Sequence, residues 1–231
     1  MRWTLVDGSP RGKRSNTAFL LEALARGLEA AGHATELLHL ALPAEADAAP
    51  ERFAAAERVV LGLPLYTDAM PGRVMEFIER LEPLQKRASN PPVAFLIQSG
   101  FPEPGQSRAV ERYLKLLAAR LGARYLGTIV KGGGMSARNP AAARWVREIE
   151  ELGQNLGQVD HLDPGRLRLF AGPDWFEGWR GLILRLVLRF RANPKFDRLL
   201  AKNGAFERRY DRPYAVGAPG PKPEESDKAS A

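Results

Sequence analysis

Along the first two thirds of the chain, short apolar runs alternate with longer stretches whose apolar residues recur at helical spacing. Residues 3–6, 35–40, 58–63, 93–98 and 125–130 read as buried strands. The intervals between and after them predict helices over 16–31, 51–57, 71–84, 107–121 and 139–156. In the first of these helices Leu20, Leu21, Leu24 and Leu28 share a face, and Gly32 stops it. Strands that alternate with helices predict an α/β fold: a parallel sheet covered on both faces by right-handed crossovers, hence a doubly wound three-layer sandwich. Ligands of such sheets bind beyond the carboxyl ends of the strands, where the strand order reverses. The loops to inspect are therefore 7–15, 64–70, 99–105 and 131–138, all rich in Gly, Pro and Ser.

The alternation stops near residue 157. Domain boundaries are expected at 1–158 for the sandwich, 159–212 for a basic amphipathic helical extension and 213–231 for a disordered tail rich in Pro, Gly, Ala and charge. Residues 174–212 carry ten basic and five acidic side chains, a net +5, which is most of the +7 of the whole chain. At 100° per residue Trp175, Phe176, Trp179, Leu182, Ile183, Leu186, Val187 and Phe190 share one face, flanked by Arg180, Arg185, Arg189 and Arg191. Two occupants suit that face. One is an anionic membrane surface, a peripheral contact through 174–191; the other is protein, either the domain itself or a homodimer partner, favoured by Leu184 and Leu188 on the polar side. Nucleic acid is not expected, because no recognition motif accompanies the positive charge.

Composition narrows the chemistry. The chain has 231 residues, 45% of them hydrophobic, enough for a substantial core. With no cysteine, disulfides, thiolate metal sites and cysteine nucleophiles are excluded. No export signal is read at the start and no apolar run is long enough to span a bilayer, so a cytoplasmic location, with peripheral membrane contact as an option, is the expectation. The three histidines, His33, His39 and His161, have no metal-ligand spacing, and no metal is expected.

The first loop, Asp7 to Thr17, supplies Ser9, Ser15, Asn16 and Thr17 as side-chain donors and Arg11, Lys13 and Arg14 as cations beside a helix amino end. That is a setting for a phosphate monoester, yet it fits neither a GxxxxGK[ST] loop nor a GxGxxG fingerprint. Its bland alternative is a capped helix and a polar turn. The second loop holds Pro64, Leu65, Tyr66, Thr67 and Asp68 ahead of Pro71; a stiffened loop with an aromatic ring suits a flat heteroaromatic, while Pro71 as a first helical residue and Met70 as core are the alternatives. Ser99, Gly100 and Phe101 begin the third loop. The Lys131-Gly-Gly-Gly134 loop either lets a nicotinamide or a partner subunit approach or is a flexible connector.

Gly8-Ser-Pro-Arg11 with Ser15-Asn-Thr17 and the leucine-rich helix ending in Ala31-Gly-His33 resembles the opening of the NADPH-dependent FMN reductase-like, flavodoxin-fold oxidoreductases. Pro64-Leu-Tyr66 with Met70-Pro-Gly72 and Phe77-Ile-Glu-Arg80 is similar to that family's second flavin loop and helix. The resemblance implies a flavodoxin-like five-stranded sheet in the order 2-1-3-4-5. It also implies FMN bound with its phosphate at Ser9, Pro10, Arg11, Ser15, Asn16 and Thr17. The ring would lie against Pro64, Leu65, Tyr66 and Thr67, flanked by Ser99, Gly100 and Phe101. NAD(P)H would be the co-substrate and a small electron acceptor, a quinone or nitro compound, the partner. No catalytic acid or base is nominated, since flavin chemistry asks the protein for orientation and water exclusion. Two alternatives stand beside it: a flavodoxin-like electron carrier without small-molecule turnover, and a flavin-free membrane- or partner-binding module.

Overall fold

The computed structural model describes residues 1–212; the tail expected to be disordered, 213–231, lies outside the described residues. Five parallel strands, β1 (Arg2–Asp7), β2 (Ala34–His39), β3 (Arg58–Pro64), β4 (Val93–Gln98) and β5 (Tyr125–Lys131), form one sheet in the order β2-β1-β3-β4-β5. This is the flavodoxin-like sandwich that the resemblance implied. Helices α1 (Asn16–Ala30) and α5 (Ala143–Val159) cover one face, and α2 (Pro43–Ala55), α3 (Gly72–Arg80) and α4 (Arg108–Leu121) the other.

Alternation along β3 divides the core. Val59, Leu61 and Leu63 face Phe53 of α2, Phe77 of α3 and Leu114 of α4, whereas Val60 faces Leu21 and Leu24 of α1 and Ile149 and Leu152 of α5. Both sides are dry, as a parallel sheet requires. On the second side α1 and α5 approach closely because their contact is made of glycine: a Cβ on Gly27 would lie 1.9 Å from the Glu150 carbonyl oxygen, and one on Gly153 2.3 Å from that of Leu24.

The sequence placed α2 at 51–57; the helix instead starts at Pro43 and runs through Pro50. Proline removes the N–H that would bond to the carbonyl four residues earlier. That carbonyl, on Ala46, accepts from the Arg80 guanidinium at 3.0 Å instead, and the next one, on Asp47, accepts from Arg80 at 2.9 Å. A tertiary donor from α3 therefore replaces the missing helical one.

The first compact unit runs to Trp175. Helix α6 (Pro164–Ala171), capped by Asp163, packs beside β5, with Leu162 N–H donating to the Leu126 carbonyl at 2.7 Å and Phe170 buried. A second unit begins at Phe176 and contains α7 (Gly178–Val187), a π-helical turn (Leu188–Ala192) and α8 (Asn193–Lys202). Among the described residues no helix is long and apolar enough to cross a membrane.

Asp160, at the left-handed residue closing α5 (φ 55°), accepts from Arg58 Nε and Nη2 at 2.8 and 2.9 Å and also pairs with Arg124, joining the helix end to the starts of β3 and β5. The hydrogen bond from Arg58 holds its carboxyl below the ordinary 3.8. A carboxyl depressed in the folded state stabilises above its unfolded pKa and loses that contribution as pH falls through the folded one. Asp160→Asn, which tolerates the left-handed backbone, is expected to cost about 1 to 3 kcal/mol in urea unfolding at pH 7. The gap to the parent narrows as the titration proceeds below about pH 4; a gap independent of pH contradicts the assignment.

Candidate functional site

Beyond the carboxyl ends of the strands, at the β1/β3 switch point, the loops after β1, β3 and β4 converge on a cleft of about 490 Å³. This lies within the roughly 300 to 1,000 Å³ usual for small-molecule sites. Ser9, Arg11 and Asn16 come from the first loop, Leu65, Tyr66, Thr67 and Asp68 from the second, and Ser99, Gly100 and Phe101 from the third. Nine of the thirteen residues that the resemblance put at the cofactor, all of these except Asp68, thus meet in one place.

The other four do not line the cleft. Ser15 is buried as the N-cap of α1, accepting from the Ala18 N–H at 2.8 Å. Thr17 is buried and accepts from Gln98 at 3.3 Å. Pro64 is the buried last residue of β3, and Pro10 lies in the exposed turn. Of the three cations in the first loop only Arg11 borders the cleft; Lys13 and Arg14 are exposed elsewhere. Gln98, Gln106 and Met135 line the cleft without having been singled out. Gln98 closes a strand and Met135 follows the triple glycine, so position in the fold, not residue type, brings them there.

The first loop is set from below by Asp7. Its carboxylate, fully buried at the end of β1, accepts from the Ser9 N–H at 3.0 Å and from the Ser15 hydroxyl at 3.3 Å, and lies 3.0 Å from His39 Nδ1 on the neighbouring strand. The register that pairs Asp7 with His39 and with Gly62 makes this cluster. Asn16 is fixed from the side, its amide donating to the Gly134 carbonyl at 2.8 Å. At the start of α1 the Asn16 and Thr17 N–H groups have no intrahelical partner, which leaves the positive end of the helix dipole at the loop.

The second loop turns through Thr67 and Asp68, both left-handed (φ 49° and 60°), between reciprocal Tyr66–Ala69 backbone bonds of 2.9 and 3.1 Å. Two consecutive left-handed residues are the signature of a tight hairpin turn usually made by Asn or Gly. A threonine held there is strained by roughly 1 kcal/mol or more, the kind of strain that collects at functional loops. The triple-glycine loop is pinned: Gly133 and Gly134 N–H donate to the Phe101 and Ser99 carbonyls, each at 2.7 Å, and a Cβ on Gly134 would lie 1.9 Å from Gln98 Oε1. Lys131 at its start faces away from this work, donating to the Phe170 carbonyl at 2.9 Å over the Phe170 ring, and burial lowers its pKa. Among the described residues no cluster of three or more His, Asp and Glu fit for a metal occurs.

Sheet order and switch-point cleft together define a doubly wound sandwich of the flavodoxin type with a cleft of small-molecule size. The chain belongs to the family described as the flavodoxin-like fold, which matches residues 1–153. No curated protein matches it. Among solved structures it is similar to the NAD(P)H:quinone oxidoreductase from Methanothermobacter marburgensis (18% identity, 68% of this chain and 98% of that one, TM-score 0.54). It is similar also to an FMN-dependent NADH-azoreductase from Bacillus anthracis in complex with FMN (13%, 68% and 99%, 0.52). A third is the Trp repressor binding protein from Bacillus subtilis (16%, 67% and 96%, 0.51). At these identities the likeness is one of fold.

Desolvation pushes the Asp7 carboxyl above its ordinary value, against the opposing hydrogen bonds from His39 and the Ser9 N–H. A carboxyl raised in the folded state contributes its full stability below the unfolded pKa and loses it as pH rises through the folded one. Asp7→Asn removes this titration. In urea unfolding, the stability of the variant relative to the parent is expected to rise between about pH 4 and pH 7; a constant difference means that Asp7 is not the desolvated acid described.

Proposed function

We propose that the protein is an FMN-dependent NAD(P)H oxidoreductase, in which reduced nicotinamide surrenders a hydride and a small acceptor such as a quinone or nitro compound gains the two electrons. The observation that carries this reading is the convergence of three loops of different chemistry on one cleft of suitable size at the switch point of a flavodoxin-like sheet. The residues present fit a flavin mononucleotide. Arg11, the Ser9 hydroxyl and the amino end of α1 suit its phosphate; Leu65, Tyr66, Phe101 and Met135 suit a flat apolar ring, with the Thr67, Ser99 and Gly100 backbone beside them. Bound there, the flavin would supply the hydride-accepting chemistry that no side chain of this protein provides.

The protein's own part is orientation. Asp7 and Ser15 hold the first loop rigid before any ligand arrives, Asn16 and Gly134 tie that loop to the one after β5, and the strained Thr67–Asp68 turn presents its backbone without having to fold on binding. The half-exposed Tyr66 and Phe101 rings suit stacking against a nicotinamide or an aromatic acceptor.

The test is a visible spectrum of the purified protein, then titration with FMN and with riboflavin, which lacks the phosphate. Arg11→Ala, an exposed side chain without a packing role, is expected to weaken FMN about tenfold, one charge-assisted hydrogen bond's worth, and to leave riboflavin unchanged. Equal loss for both ligands moves the phosphate elsewhere, and no flavin binding at all removes the reading in favour of a flavin-free module. FMN binding without NAD(P)H oxidation in the presence of a quinone leaves the electron carrier.

A further inference from the structure

We propose that helix α7 and its π-helical continuation form a lipid-facing element that docks the protein on an anionic bilayer surface. Trp179, Leu182, Ile183, Leu186, Val187 and Phe190 form one stripe along this segment, and every one of them is between 45% and 68% exposed. Phe190 lies in the π-helical turn that continues α7. On the reverse side Gly181 is buried against the Phe176 carbonyl, and Leu184 and Leu188 are half-buried. The two leucines that interrupt the polar side in the sequence are thus the covered ones, and the exposed apolar surface is a single face. The helix proper starts at Gly178, so Trp175 and Phe176 precede it and do not belong to the stripe.

The charge pattern selects the occupant. From Gly178 to Pro194 there are four arginines and no acidic residue, and residues 176–212 hold ten basic against four acidic side chains, a net +6. Arg180 lies over the Trp179 ring (5.5 Å) and Arg189 over the Phe190 ring (5.7 Å), so cationic heads sit beside the aromatic edges of the stripe. A second copy meeting this face would bring the same arginines against it and be repelled. A layer of anionic headgroups over hydrocarbon answers both features together: phosphates for the arginines, acyl chains for the leucines, the boundary for tryptophan. A span is not involved, since no described helix is long and apolar enough to cross.

The experiment is co-sedimentation of the full chain with vesicles of phosphatidylcholine alone and with about one third phosphatidylglycerol. Partitioning onto the anionic vesicles is expected to be at least about tenfold greater. It should be lost when salt is raised from about 0.1 M to 1 M, which shortens the screening length from roughly 10 to 3 Å. The doubly substituted Leu182→Glu, Leu186→Glu protein, altered only at exposed positions, should keep the parent melting profile and lose vesicle binding; Arg185→Glu with Arg189→Glu should do the same. Equal binding to both vesicle types overturns the proposal, as does undiminished binding by the leucine variant. So does a parent chain that ignores vesicles and sediments as a dimer which Leu182→Glu, Leu186→Glu dissociates, the result that would assign the face to a second copy.

Discussion

A central parallel strand has no wet side: both its edges are bonded and both its faces must be covered by other elements. β1 meets that constraint with a charged residue at its end. It lies between β2 and β3, its residues from Trp3 to Asp7 are all buried, and its last residue is an aspartate. A buried carboxylate is costly unless donors surround it, and here the backbone of Ser9, the hydroxyl of Ser15 and the ring of His39 do so. The fold places an acceptor where the chain must leave the sheet, and the loop organises itself around that acceptor. The first loop of the cleft is in this sense a consequence of satisfying Asp7.

The same economy runs through the other loops of the cleft. The loop after β5 is held by the loop after β4 through the Phe101 and Ser99 carbonyls, and by the first loop through Asn16. The second loop stands on its own short bridge between Tyr66 and Ala69. Polar backbone left over at four strand ends is therefore largely spent between the loops themselves, and the side chains that remain turned to the cleft, Arg11, Tyr66 and Phe101 among them, are free for a ligand.

The second unit follows a different logic. Sandwich helices bury most of their leucines, whereas α7 leaves Leu182, Leu186, Val187 and Trp179 exposed and lines them with arginine. Apolar exposure on that scale signals an interaction rather than a core.

Periodicity and loop chemistry alone carried the reading to the α/β class, to five strands within a residue or two of their ends, and to three loops that do meet. Hydrophobic alternation reports directly which segments must be buried on two faces, and Gly, Pro and Ser mark where the chain turns. What stayed illegible depended on partners distant in sequence. Pro50 could not be seen as a helix interior, because the donor that makes it tolerable, Arg80, arrives from another helix. The resemblance put Ser15, Thr17 and Pro64 at the cofactor, and packing buries all three outside the cleft lining; Gln98 and Met135 were ordinary by type, and strand register and the glycine turn brought them to the cleft. Local sequence determined which residues leave the sheet at its carboxyl end. Only the tertiary structure decided which of those face one another, since hydrogen-bond partners across the switch point are set by strand order and register and not by neighbours along the chain.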